Sequence, residues 1–285
     1  MPPSRQATVL EVQSPLHHGS DENTGVDNTF RRAKHVHPEK GAIELPVVSG
    51  NTIRHTLRAA LSTHLLQAVG LYEEDEVPLN VYYVLYSGGA LKKGASTRFV
   101  EIATRRDVRD MLPHVSLLGT ALKGGMMEGK LQIGHAVPYT ERSQPLLYPS
   151  VDQEPGLSTH HEALDWYYQT RSKDGEKEEQ AEQVDADGDP HQMKYQYEVL
   201  APGTPLHHWT AIDTDTQREH DAWAKAHQLL HDNATTLGGK EGVGFGQVTW
   251  PYTYPDGDAN RYEDYVEDNA EDIRAFLLNE LADLA

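Results

Sequence analysis

The order of predicted elements repeats along this chain, and that repeat most narrows what it can fold into. In the first half, residues 7–15 read as a strand. A helix follows, capped by Ser49 or Asn51 and running to about Ala68, with Ile53, Leu57, Ala60, Leu61 and Leu65 on one face. In the second half, Pro202-Gly203 leads into a strand over residues 207–212. Thr214 or Asp215 then caps a helix to about His231, and residues 248–254 read as a last strand. Glycine-bearing loops stand at comparable places in both halves. The pattern predicts an α+β fold, a ferredoxin-like core with insertions, its antiparallel sheet covered by helices on one face.

The remaining segments supply the insertions. Residues 81–86 read as a buried strand by their β-branched and aromatic content, ending in Ser87-Gly88-Gly89. Residues 104–112 suit a short helix, and the glycines between 124 and 134 a turn entering a strand. Residues 167–170 and 193–199 are strand-like and flank a run, 172–192, with eight acidic residues and two lysines. Low hydrophobicity and high charge predict that this run is the mobile tip of a protruding hairpin. Residues 262–284 suit an amphipathic, acidic terminal helix.

Charge bears on the choice of partner. The net charge of −19 over 285 residues argues against nucleic acid at first sight. Residues 1–150, however, carry 16 basic and 15 acidic side chains, whereas residues 151–285 carry 9 and 29. The near-neutral first half holds local basic clusters: Arg31, Arg32 and Lys34; Arg54 and Arg58; Lys92 and Lys93, with Arg98, Arg105, Arg106 and Arg109 beyond. The absence of cysteine excludes disulfides and thiolate metal sites. With no apolar run of about 18 residues and no apolar leader, the expectation is a cytoplasmic protein with no membrane partner.

Three features suit a polyphosphate chain better than a small molecule. Glycine turns let backbone amides approach a phosphate, and a helix starting at Ser49, Gly50 and Asn51 adds its positive end. Arg54 and Arg58, four apart, share one helix face beside that end. Lys92 and Lys93 follow the Ser87-Gly88-Gly89 turn, and Gly244, Phe245 and Gly246 form a further close-approach loop. The plainer alternatives are a capped helix with surface arginines, solvated charge runs and turns that the fold itself requires. Of the sixteen histidines, His17-His18, His35-x-His37, His160-His161 and His207-His208 do not reproduce a helical His-x-x-x-His arrangement. His17, His18 and His35 are minor acid–base candidates, and no P-loop or serine elbow is present.

In this order the residues resemble the RAMP superfamily of CRISPR effector complexes, and most closely the backbone subunit of the Cas-seven type found in type III and type IV systems. The resemblance rests on Pro15-Leu16-His17-His18-Gly19-Ser20-Asp21, Gly25-Val26-Asp27-Asn28, the stretch 45–54 with Leu57-Arg58, Tyr86-Ser87-Gly88-Gly89, residues 197–204 and Gly244-Phe245-Gly246. It implies one domain over residues 1–285: a palm built on a modified RNA-recognition fold, finger insertions, and a thumb at roughly 140–196 touching RNA through Arg142, Arg171 or Lys194.

It also implies head-to-tail copies along a CRISPR guide RNA, pre-ordering it for a target nucleic acid beside other effector subunits, with no cofactor needed for binding. Ser49, Gly50, Asn51, Arg54, Arg58, Arg31, Arg32, Lys34, Lys92, Lys93, Gly244, Phe245 and Gly246 would then hold the RNA. Asp27 matches the position of an aspartate that supports metal-dependent target-RNA cleavage in type III subunits. This leaves a Mg²⁺-using endonuclease as one alternative. An acidic protein-interaction module without RNA is another.

Overall fold

The computed structural model describes residues 5–21, 27–73, 77–89, 101–122, 125–151, 154–171, 193–233, 235–251, 254 and 256–284. The expected mobile tip at 172–192 and both Lys92 and Lys93 lie outside the described residues.

Along the chain, β1 (Arg5–Val12), β2 (Asp27–Asn28), β3 (Arg32–His37) and β4 (Gly41–Pro46) precede α1 (Gly50–Ala68). A short α2 (Leu79–Tyr82) continues into a π-helical turn, Tyr83–Ser87. Next come α3 (Ile102–Met111), α4 (Pro113–Leu118), β5 (Thr120–Leu122), β6 (Gly125–Met127), β7 (Leu131–Ile133) and β8 (Val137–Pro138). The second half holds α5 (His160–Ala163), β9 (Leu164–Arg171), β10 (Met193–Leu200), β11 (Pro205–Ile212), α6 (Gln217–Asp232) and β12 (Val248–Thr249). It ends with α7 (Ala259–Asp268), α8 (Ala270–Ala275), a π-helical stretch Phe276–Leu281 and α9 (Ala282–Leu284).

The main sheet runs in the order β12–β1–β11–β7, all pairs antiparallel, with β8 also on β11. Taking β1-α1-β7 and β11-α6-β12 as two strand–helix–strand units gives the strand order 4-1-3-2 of a ferredoxin-like core. The expected α+β architecture is therefore the observed one. Leu10 and Val12 of β1 and Leu206 of β11 meet Ile53, Leu57, Leu61 and Leu65 of α1 and Ala222, Trp223 and Leu230 of α6 in one buried core. α1 begins as its sequence indicates: the Ser49 hydroxyl accepts the Thr52 N–H at 3.2 Å.

Several local expectations need correction. Residues 81–86 are helical rather than a strand. Val81, Val84 and Leu85 are buried while Tyr82 and Tyr83 stay exposed, a helical i, i+3, i+4 spacing that outweighs β-like composition. Tyr82 and Tyr86 accordingly stack one turn apart, with ring centroids at 4.5 Å. The last strand covers only Val248–Thr249, because Trp250 turns into the core and Pro251 has no N–H for the ladder. Thr216, not Thr214 or Asp215, caps α6, without a side-chain bond; the Thr214 hydroxyl is engaged by Glu219. The terminal helix breaks at Asn269, whose side chain donates to the Tyr265 carbonyl at 2.7 Å. Among the described residues, no helix is long and apolar enough to cross a membrane.

Candidate nucleic-acid interface

The N-terminus of α1 is crowded. A Cβ on Gly50 would lie 2.5 Å from the Ile133 carbonyl oxygen, so glycine is required where the helix abuts the end of β7. The Gly50 N–H donates to Nδ1 of His135 at 3.0 Å, which spends one of the amides expected to face phosphate. Asn51 is exposed beside it. Arg31 is ion-paired with Asp21, and its backbone N–H donates to the His18 carbonyl at 2.7 Å. Burial, followed by the charge of Arg31, lowers His18 to about 4. Lys34 is exposed on β3, whereas Arg32 is ion-paired with the buried Glu198.

Arg54 and Arg58 share a face as expected, but that face is turned inward. Arg54 donates to the Leu118 carbonyl at 3.0 Å and to that of Leu131 at 2.7 Å. Arg58, only 5% exposed, donates to Leu118 at 3.1 Å, to Gly119 at 2.7 Å and to Val84 at 3.4 Å. Both guanidiniums are lowered by burial, Arg58 to about 10. Their donors tie α1 to the carbonyls ending α4 and the π turn, so a grip on phosphate by Arg58 is replaced by a structural role.

Gly88 and Gly89 belong to the same joint. Both have positive φ (76° and 79°), and a Cβ on Gly89 would strike the Ala121 carbonyl oxygen at 2.1 Å. The fold itself thus requires glycine in this turn.

A different surface gathers aromatic rings. β9 and β10 form an antiparallel hairpin paired from Met193↔Arg171 to Leu200↔Leu164, and β2 adds to it in parallel. Tyr167 and Tyr197 are cross-strand partners, as are Gln169 and Tyr195, so they share one sheet face. The loop 238–246 packs against that face. Phe245, 3% exposed, meets Tyr167 edge-on at 4.8 Å. Gly246 (φ 83°) is held because a Cβ would lie 2.2 Å from the Leu237 carbonyl oxygen, while Gly244 (φ 84°) has open space around it.

Lys240 takes φ 70°, alone among described non-glycine residues in a left-handed conformation, and its Nζ sits 4.5 Å from the centre of the Tyr197 ring. The result is an open groove of about 610 Å³ lined by Tyr167, Tyr168, Gln169, Tyr195, Tyr197 and Lys240. Of the expected Gly244-Phe245-Gly246 loop, only Gly244 is exposed; Phe245 and Gly246 are buried beneath the groove. The tyrosines and Lys240 are what the sequence reading missed. Their signal was the alternation of Tyr195 and Tyr197 opposite Tyr167, a two-residue period that puts rings on one face.

Asp27 lies on β2 opposite Gln196, whose side-chain amide donates to its Oδ1. Asn28 donates from Nδ2 to the Gln196 carbonyl at 3.2 Å. Among the described residues, no group of three or more His, Asp or Glu side chains could hold a metal ion. His17 is buried, its Nδ1 bonded to the Glu198 carbonyl at 2.8 Å.

No protein-family model matches the chain, and no curated protein matches it. Among solved structures, a chain of a Type IV-B CRISPR complex aligns over 88% of this chain and 91% of its own, with a TM-score of 0.60 and 21% identity. The shared property is the fold. The likeness covers most of both chains.

Proposed function

We propose that this chain is a subunit of a CRISPR effector ribonucleoprotein that binds guide RNA, repeats in several copies along it beside other effector subunits, and pre-orders it for pairing with a target nucleic acid. The observation that carries this reading is the likeness, over nearly all of both chains, to a chain of a Type IV-B CRISPR complex. The β9–β10 hairpin takes the part of the thumb. A guide of arbitrary sequence has to be held without reading its bases, and stacking on aromatic rings beside a cation does so because every base has a π face. The tyrosine groove with Lys240 supplies that chemistry.

The decisive experiment is purification from a host expressing the matching guide, with sizing before and after nuclease and sequencing of any bound RNA. A large particle that carries one repeat-derived RNA and collapses on nuclease treatment is expected. A monomer free of nucleic acid would overturn the reading.

The groove makes a separate prediction. Tyr167, 42% exposed on the groove face, is the side chain to remove: Tyr167→Ala is expected to keep the protein folded, with its unfolding midpoint lowered by the lost edge contact with Phe245. Losing one stacking partner costs about 1–3 kcal/mol, a roughly 5- to 150-fold loss of affinity for single-stranded RNA. The loss should be equal for oligouridine and oligoadenosine in filter binding. Loss for one base alone would contradict sequence-independent stacking.

A further inference from the structure

The opposite face of the same hairpin borders a second concavity, of about 330 Å³, closed in by β3 and α5. Its floor is satisfied internally: Glu198 pairs with Arg32 and also accepts the Phe30 N–H at 2.8 Å. Its rim is not. Among the described residues, the Arg142 guanidinium, the rings of His160 and His161 and the indole N–H of Trp166 make no hydrogen bond or ion pair within the chain. Trp166 is 37% exposed, and Asp165 accepts its backbone N–H at 2.7 Å, which fixes the start of the strand that carries the ring.

The carboxylates here are engaged, Glu198 by Arg32, Asp165 by the Trp166 N–H and Glu141 by the His160 N–H, so the unpaired donors and flat ring above them suit a ligand that brings both an anion and an aromatic plane. Burial first, and the charge of Arg142 second, hold His160 below the ordinary imidazole range, so at neutral pH its ring can donate one hydrogen bond and accept another. A guanidinium fork matches phosphate oxygens, and an indole face stacks on a base. The volume, near the lower end of small-molecule pockets, suits a single nucleotide. An acidic peptide would use Arg142 and leave the indole face without a partner.

We propose that this pocket holds one unpaired nucleotide of an RNA strand, its base against Trp166 and its phosphate between Arg142 and the His160–His161 pair. The inference rests on the RNA-binding reading for the identity of the ligand, but the site can be tested without a guide. The full chain, Arg142→Ala and Trp166→Ala would each be titrated calorimetrically with uridine and adenosine monophosphates and with a single-stranded oligoribonucleotide. Arg142→Gln and Trp166→Phe would serve as gentler variants, with unfolding midpoints measured for all. A 4-thiouridine oligoribonucleotide would locate the contact by cross-linking.

Saturable mononucleotide binding is expected, weakened at least tenfold by either alanine variant and largely restored by Trp166→Phe, with the cross-link between residues 159 and 166. If the oligoribonucleotide binds all variants equally and cross-links elsewhere, the pocket assignment fails while the RNA reading stands. If mononucleotides bind through these residues but no oligoribonucleotide does, the pocket stands and the RNA reading fails. If wild type binds neither, both fall. Equal mononucleotide affinity across the variants also overturns the pocket.

Discussion

Replacing Arg58 with methionine is expected to cost about 3 kcal/mol of folding stability, the scale for losing hydrogen bonds that leave buried acceptors unmatched. For a domain of this size that is a fall of roughly 6–12 °C in the unfolding midpoint. The Gly119 carbonyl loses a donor at 2.7 Å and that of Val84 one at 3.4 Å, while the Leu118 carbonyl keeps Arg54 at 3.0 Å. One term opposes the loss: a neutral side chain escapes the penalty of burying a charge, the same penalty that lowers Arg58 to about 10. Unmatched carbonyls win because methionine fills the space without donating. Lysine should not rescue, since a single ammonium cannot span the three carbonyls in the guanidinium's fan. Thermal and urea unfolding of the purified variant check this. A wild-type midpoint with weakened RNA affinity would restore the phosphate-gripping role and discard the structural one.

Acid should unfold this protein well above the pH at which its carboxylates titrate. His114, His208 and His227 are buried, and burial lowers them to about 3, about 3 and about 4. A folded-state value below the unfolded 6.5 means that the unfolded chain binds more protons once the pH drops below 6.5. Their contribution is therefore fully present above pH 6.5 and is lost as the pH falls towards 4 and then 3. At pH 5 the loss is about 2 kcal/mol for each histidine, and three together reach the scale of a whole domain's stability. The acidic surplus pulls the other way, since protonating some of 44 carboxylates relieves repulsion, but exposed carboxylates titrate mostly below pH 5. Urea midpoints measured between pH 7.5 and 5 should fall steeply, and His114→Phe should reduce the slope. A flat profile over that range would show that these imidazoles do not stay neutral in the fold.

The ferredoxin-like core was legible in the sequence for a physical reason: its main helices and long strands carry a clear period. Ser49 ahead of Ile53, Leu57, Leu61 and Leu65 marks both the start and the buried face of α1. Residues 81–86 misled because aromatic and β-branched side chains fit either state, and only the spacing of Val81, Val84 and Leu85 separates them. Arg54 and Arg58 were placed on the correct helix face, yet no local pattern tells that carbonyls of residues 84, 118, 119 and 131 converge on it. The aromatic groove joins Tyr167 to Lys240, and the concavity on the other face joins Arg32 to Trp166, all on segments far apart in the chain. Only the fold brings such residues together.

The strand order also has a consequence for how the chain is made. β1 leaves the ribosome before the other strands of its sheet but lies between β11 and β12, whose partnering residues follow roughly two hundred residues or more later. At about 5–20 residues per second, β1 therefore waits some ~10–40 s with both edges open. During that interval α1 can form but has no finished sheet to cover. Release of the second half of the chain, rather than any local step, sets when the core can close, so translation speed and chaperone occupancy over the first half should govern the yield of folded protein.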